Sequence, residues 1–96
     1  MKSSKGNHPG QILKKKFIDN MDISTYKLAQ ETLLSQTRIS QIMNGKRAIT
    51  AETALKLSRY FKTDPMYWLN LQSEFDLEEA SKKFAKDLAK IKTSKK

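Results

Sequence analysis

Cysteine is absent from this chain, histidine occurs once, glycine three times and proline twice. Without cysteine there are no disulfides and no thiolate metal sites. A single histidine, His8, leaves no histidine cluster for zinc, and no partner histidine or paired carboxylate is placed to make it a catalytic base. A capping or packing role is the expectation for it. No Gly-rich phosphate loop is present, nor a Ser/His/Asp arrangement with supporting context. Glu78 and Glu79 are adjacent, but a carboxylate pair on an amphipathic helix is a solvated face, not a glycosidase dyad. No apolar run approaches the roughly 20 residues of a membrane span, and no signal-peptide pattern occurs. The expectation is a soluble, cytoplasmic protein that is not an enzyme, with no metal, cofactor, small-molecule substrate or membrane contact.

Negative charge is also scarce. Ten acidic residues face nineteen Lys and Arg, for a net charge of +9. The excess lies at the ends: residues 1–16 carry +5 and residues 82–96 carry +6, against +1 for 17–47 and −3 for 48–81. Such ends are either solvating tails or arms that attract phosphate and add salt-dependent affinity.

The stretch Ser35-Gln36-Thr37-Arg38-Ile39-Ser40-Gln41-Ile42-Met43-Asn44-Gly45-Lys46-Arg47 is the most informative part of what is present. Ser35 is a good helix N-cap and Gly45 a good left-handed terminator. At 100° per residue Ile39, Ile42 and Met43 share one side. Thr37, Gln41 and Asn44 occupy the opposite side, with Ser40 at its edge. A solvated face would carry Lys and Glu; this one carries amides and hydroxyls that can pair with base edges. Just upstream, Ser24 caps a short helix through Glu31, with Leu28 inward and Ala29 allowing close approach. Helix, short turn and helix with a polar outer face is the helix-turn-helix pattern.

The rest reads as helical, with no strand pattern or repeat. Residues 1–7 are expected to be a disordered arm. Pro9 opens the first helix, whose core face is Ile12, Leu13, Phe17 and Ile18. Thr50 caps a helix with Ala54, Leu55, Leu57, Ser58 and Phe61 inside. Asp64-Pro65 starts another helix, carrying Met66, Tyr67, Trp68, Leu69 and Leu71. Being apolar nearly all round, it either closes the core or also meets a second subunit. Beyond Phe75, the residues Leu77, Ser81, Phe84, Leu88 and Ile91 follow a 4-3-4-3 spacing. That predicts an amphipathic helix flanked by lysines, whose stripe packs on its own domain, a twin subunit or another protein. The expected organisation is an all-α domain over 8–77 and a basic helix and tail over 78–96.

Several segments in order carry a family resemblance: His8-Pro9-Gly10-Gln11-Ile12-Leu13, Tyr26-Lys27-Leu28-Ala29, Arg38 through Thr50, Ala54-Leu55-Lys56-Leu57 and Pro65 through Gln72. The series resembles HigA-type antitoxins of the Cro/repressor-like (Xre) helix-turn-helix group. The resemblance implies a five-helix, lambda repressor-like domain that binds double-stranded operator DNA as a homodimer. It also implies a second partner, a HigB-type toxin, which is a small ribosome-associated mRNA-cleaving nuclease. By position, Gln36, Thr37, Ser40 and Gln41 match base-reading places, and Arg38 matches one that reaches a base or a phosphate. Ser24, Thr25, Asn44, Lys46 and Arg47 match phosphate-contacting places. Trp68 and Leu71 match the helix near the dimer contact, while Phe84, Leu88 and Ile91 are candidates for partner binding. The alternative is a stand-alone helix-turn-helix repressor with no toxin; a third reading is a protein-interaction module in which the motif is structural. Two positions depart from the pattern: Leu33 stands where the turn usually has Gly, and Thr32 where it has an apolar residue.

Overall fold

A computed structural model describes residues 8–94 of the chain. The expected arm at 1–7 lies outside the described residues. Among those described there are six helices and no strands. The first, α1, is continuous but changes pitch: α-helical over Pro9–Ile12, π-helical over Leu13–Ile18 and α-helical again over Asp19–Met21. The wide turn sets Leu13 and Ile18, five apart, on one buried face, and the Asp19 N–H reaches back to the Lys14 carbonyl. Then come α2 (Thr25–Thr32), α3 (Gln36–Met43), α4 (Ala51–Phe61), α5 (Pro65–Lys83) and α6 (Ala85–Lys90).

Local chemistry sets most of these boundaries. Ser24, Ser35, Thr50 and Asp64 each accept a hydrogen bond from a first-turn amide, satisfying one of the donors a helix start leaves open. Pro9 and Pro65 occupy first helical positions, where no amide hydrogen is required. His8 caps α1, its Nδ1 accepting from the Gly10 N–H at 2.9 Å, which is the capping role expected of it.

The core joins Leu13 and Ile18 of α1, Leu28 and Ala29 of α2, Ile39 and Ile42 of α3, and Ala54 and Leu57 of α4 around Trp68 of α5. Phe17 stacks between Phe61 and Trp68, with ring centroids 4.6 and 5.0 Å away. Two expectations need correction. Leu55 is exposed, not internal. It lies off the 54-57-58-61 stripe and shares its side of α4 with Glu52 and Arg59. The helix begun at Pro65 does not give way to a separate one near Leu77: α5 runs to Lys83, and the break falls at Phe84.

Candidate nucleic-acid interface

The turn between α2 and α3 is not adjusted to accommodate Leu33. That residue takes the left-handed conformation (φ 62°, ψ 30°) and leaves its side chain 80% exposed. A left-handed backbone costs a residue with a Cβ about 1 kcal/mol or more. Neighbours hold the strained turn. Lys56 Nζ lies 3.4 Å from the Leu33 carbonyl and 2.6 Å from Glu52. Thr32 is buried and donates its hydroxyl to the Leu28 carbonyl, while Leu34 supplies the apolar contact that Thr32 does not.

At its other end α3 closes tightly. Gly45 takes φ 74°, the Gly45 N–H reaches the Ile42 carbonyl, and the Lys46 N–H reaches the Gln41 carbonyl at 2.8 Å. These two bonds form a Schellman closure. The start of α1 then lies flat against this end. A Cβ added to Gly10 would sit 1.8 Å from the Ile42 carbonyl oxygen, so no larger residue fits there. Gln11 Nε2 donates to the Met43 carbonyl at 3.1 Å. From α5, buried Gln72 accepts the Ile49 N–H at 2.7 Å and donates to Asp76, fixing the loop after α3. Phe75 meets the His8 ring edge-on at 4.8 Å. Gly10, Gln11 and Gln72 had no assigned role in the sequence. The signal was there in the His8-Pro9-Gly10-Gln11 and Trp68-to-Gln72 segments, but the partners of these residues are distant in the chain.

The result is a held helix with an open polar face. Thr25, Gln36, Thr37, Ser40, Gln41, Asn44 and Lys46 line one groove, and no carboxylate joins them. All seven were among the candidate DNA-contacting residues. Three candidates stand apart from the groove lining. Ser24 spends its hydroxyl on the Lys27 N–H. Arg38 pairs through Nη1 with Glu52 at 3.1 Å and so braces α3 against α4. The Lys56 hydrogen bond first, and then the Arg38 pairing, hold the Glu52 carboxyl below its ordinary pKa. Arg47 donates from Nε to Gln41 Oε1 at 2.9 Å.

Trp68, placed near a dimer contact by the resemblance, has no exposed surface, and its Nε1 donates to Thr63 Oγ1 at 2.9 Å. It is a core residue and cannot itself touch a second chain. Leu71 is half-buried beside Ile12, Glu74, Phe75 and Glu78. Leu77, Phe84, Leu88 and Ile91 are all exposed and lie outside the core, with Lys83 Nζ 5.4 Å from the centre of the Phe84 ring. No cluster of metal-ligating residues and no helix long and apolar enough to cross a membrane occurs among the described residues.

A helix-turn-helix family model matches residues 13–68, more than half of the chain. The chain belongs to the helix-turn-helix family. Within the Xre type of that family, its structural neighbours are HigA antitoxins. One is the Pseudomonas aeruginosa antitoxin HigA with the higBA promoter: 37% identical, TM-score 0.84, covering 88% of this chain and 94% of that one. Another solved structure, a Pseudomonas aeruginosa protein in complex with its operator DNA, is 36% identical with TM-score 0.88, covering 93% of this chain and 95% of that one. Among sequence relatives, virulence-associated protein I of Dichelobacter nodosus is 44% identical over 73 residues, which is 76% of this chain and 68% of that protein. The family is one of DNA-binding regulators, not of enzymes, and this chain is an antitoxin-like member of it.

Proposed function

We propose that this helix-turn-helix chain is a cytoplasmic antitoxin that represses its own operon and neutralises a HigB-type mRNA-cleaving toxin. The observation that carries the DNA half is the acid-free groove along α3, on a fold whose solved neighbours include operator complexes. A homodimer presents two α3 helices to successive major grooves about 34 Å apart, so the operator is an inverted repeat. Gln36, Thr37, Ser40 and Gln41 meet base edges. The α2 start at Ser24 and Thr25, with Asn44 and Lys46, meets phosphates and sets register. Leu71 contributes to the dimer contact. Arg38, paired with Glu52, acts by bracing α3.

The toxin half rests on the HigA likeness and on the exposed Phe84, Leu88 and Ile91, which take the partner. The test is capture of the tagged full chain from its native host lysate after nuclease digestion, followed by mass spectrometry. A stoichiometric small basic protein that cleaves mRNA, and loses that activity on readdition of the chain, supports the reading. Recovery of the chain alone, with operator binding intact, establishes the stand-alone repressor instead.

A further inference from the structure

From the contact between Gln41 and Arg47 we infer that these two side chains form one donor-presenting reader, selecting guanine at one position in each half-site. This rests on the DNA-reading function proposed above. A lone glutamine amide can turn either way, offering an oxygen and an NH2 together to adenine, which presents N7 as acceptor and N6 as donor. Here the choice is made in advance. The Schellman closure brings the chain back beside Gln41 through the Lys46 N–H to Gln41 carbonyl bond. One residue on, Arg47 Nε donates to Gln41 Oε1 at 2.9 Å. Gln41 lines the groove and Arg47 does not, so the amide oxygen is drawn toward the groove's margin. The NH2, with its two N–H donors, is the polar group Gln41 then has for a base. A face made only of donors complements an edge made only of acceptors. In the major groove guanine alone offers two such acceptors, O6 and N7, whereas thymine sets its single O4 beside a methyl group. Arg47 is therefore a positioning residue for Gln41, a different role from the phosphate contact its place in the sequence suggests.

The test is selection of bound sequences from a randomised DNA duplex library by the full chain and by its Gln41→Ala, Arg47→Ala and Arg47→Lys variants. Arg47 is exposed, and unchanged helical circular dichroism establishes that the variants fold. The parent chain is expected to select an inverted repeat with guanine at the position where Gln41→Ala loses preference. Arg47→Ala is expected to lose roughly tenfold on guanine at that position alone and to admit adenine there. Arg47→Lys keeps the charge but has no Nε–H, and is expected to resemble Arg47→Ala. Uniform weakening on every sequence by Arg47→Ala, with guanine still preferred, would make Arg47 a phosphate contact and overturn the inference. Adenine selected by the parent chain at that position overturns it too. A parent chain that selects no sequence at all refutes DNA reading itself, and this outcome is visible before any variant is made.

Discussion

The two ends of the functional surface are built in opposite ways. Helix α3 is held at both termini and along its back: Ser35 caps it, Gly45 and the Lys46 amide close it, Gly10 lets α1 lie against it, and Arg38 ties it to α4. The segment from Ser81 to Ser94 is exposed at every residue, is broken at Phe84, and leaves about half or more of Phe84, Leu88 and Ile91 open to solvent. The contrast teaches what each region needs. A reading helix must have its geometry before DNA arrives, because every ångström of adjustment would subtract from discrimination. An apolar stripe without a floor gains its burial only from another molecule.

This contrast orders the effects of substitution. Gly10→Ala drives a methyl into the Ile42 carbonyl and is expected to destabilise the fold by ~3 kcal/mol, measured by urea unfolding. A loss below 1 kcal/mol would mean that α1 can lift from α3 freely. Gln72→Leu removes the acceptor of the Ile49 N–H and is expected to cost about 2 kcal/mol, since the orphaned donor stays buried. Its operator affinity should fall further than its stability explains, because the loop after α3 is released.

A pH titration tests the same junction. Burial lowers the His8 pKa below 6.5, and the nearby Asp76 opposes this only in part. The unfolded chain therefore binds the proton more readily. The stabilising contribution of neutral His8 is complete above 6.5 and is lost as pH falls through its lower folded value. Protonation also removes the Nδ1 lone pair that accepts the Gly10 N–H. Unfolding free energy is expected to decline over that window in the parent chain and to stay flatter in His8→Asn, which keeps a capping acceptor. Identical pH profiles for the two would place the proton-sensitive group elsewhere. The smallest effect belongs to the other region. Changing Phe84, Leu88 and Ile91 together to Ser should alter the isolated chain's stability by less than ~0.5 kcal/mol. A larger loss would show that the stripe already has a floor.

The parts legible in the sequence were the local ones. Ser24, Ser35, Thr50 and Asp64 as caps, Gly45 as terminator, and the Ile39/Ile42 back of α3 follow from spacing and side-chain chemistry within a few residues. So do Thr37, Ser40, Gln41 and Asn44 of the groove, whereas Thr25, Gln36 and Lys46 came from the family resemblance. What escaped depends on pairs far apart in the chain. Glu52 lies fourteen positions from Arg38 and gives no sign that it will take that guanidinium from the outer face. Gly10 meets Ile42 across 32 positions, and the segment around Gly10 does not name its distant partner. The π turn of α1 escaped because Leu13 and Ile18 look misregistered on an ordinary 3.6 period. The continuation of α5 to Lys83 escaped because a change of exposed pattern near Phe75 resembles a boundary, although the backbone hydrogen bonds run on.

Whether the outer face of α3 reads base sequence turns on Gln41→Ala. Its affinity would be measured by fluorescence anisotropy on the selected operator duplex and on a scrambled duplex of equal length, at one salt concentration. The expected loss is about 1–3 kcal/mol on the operator, with little change on scrambled DNA. Equal losses on both duplexes, or none on either, would contradict it.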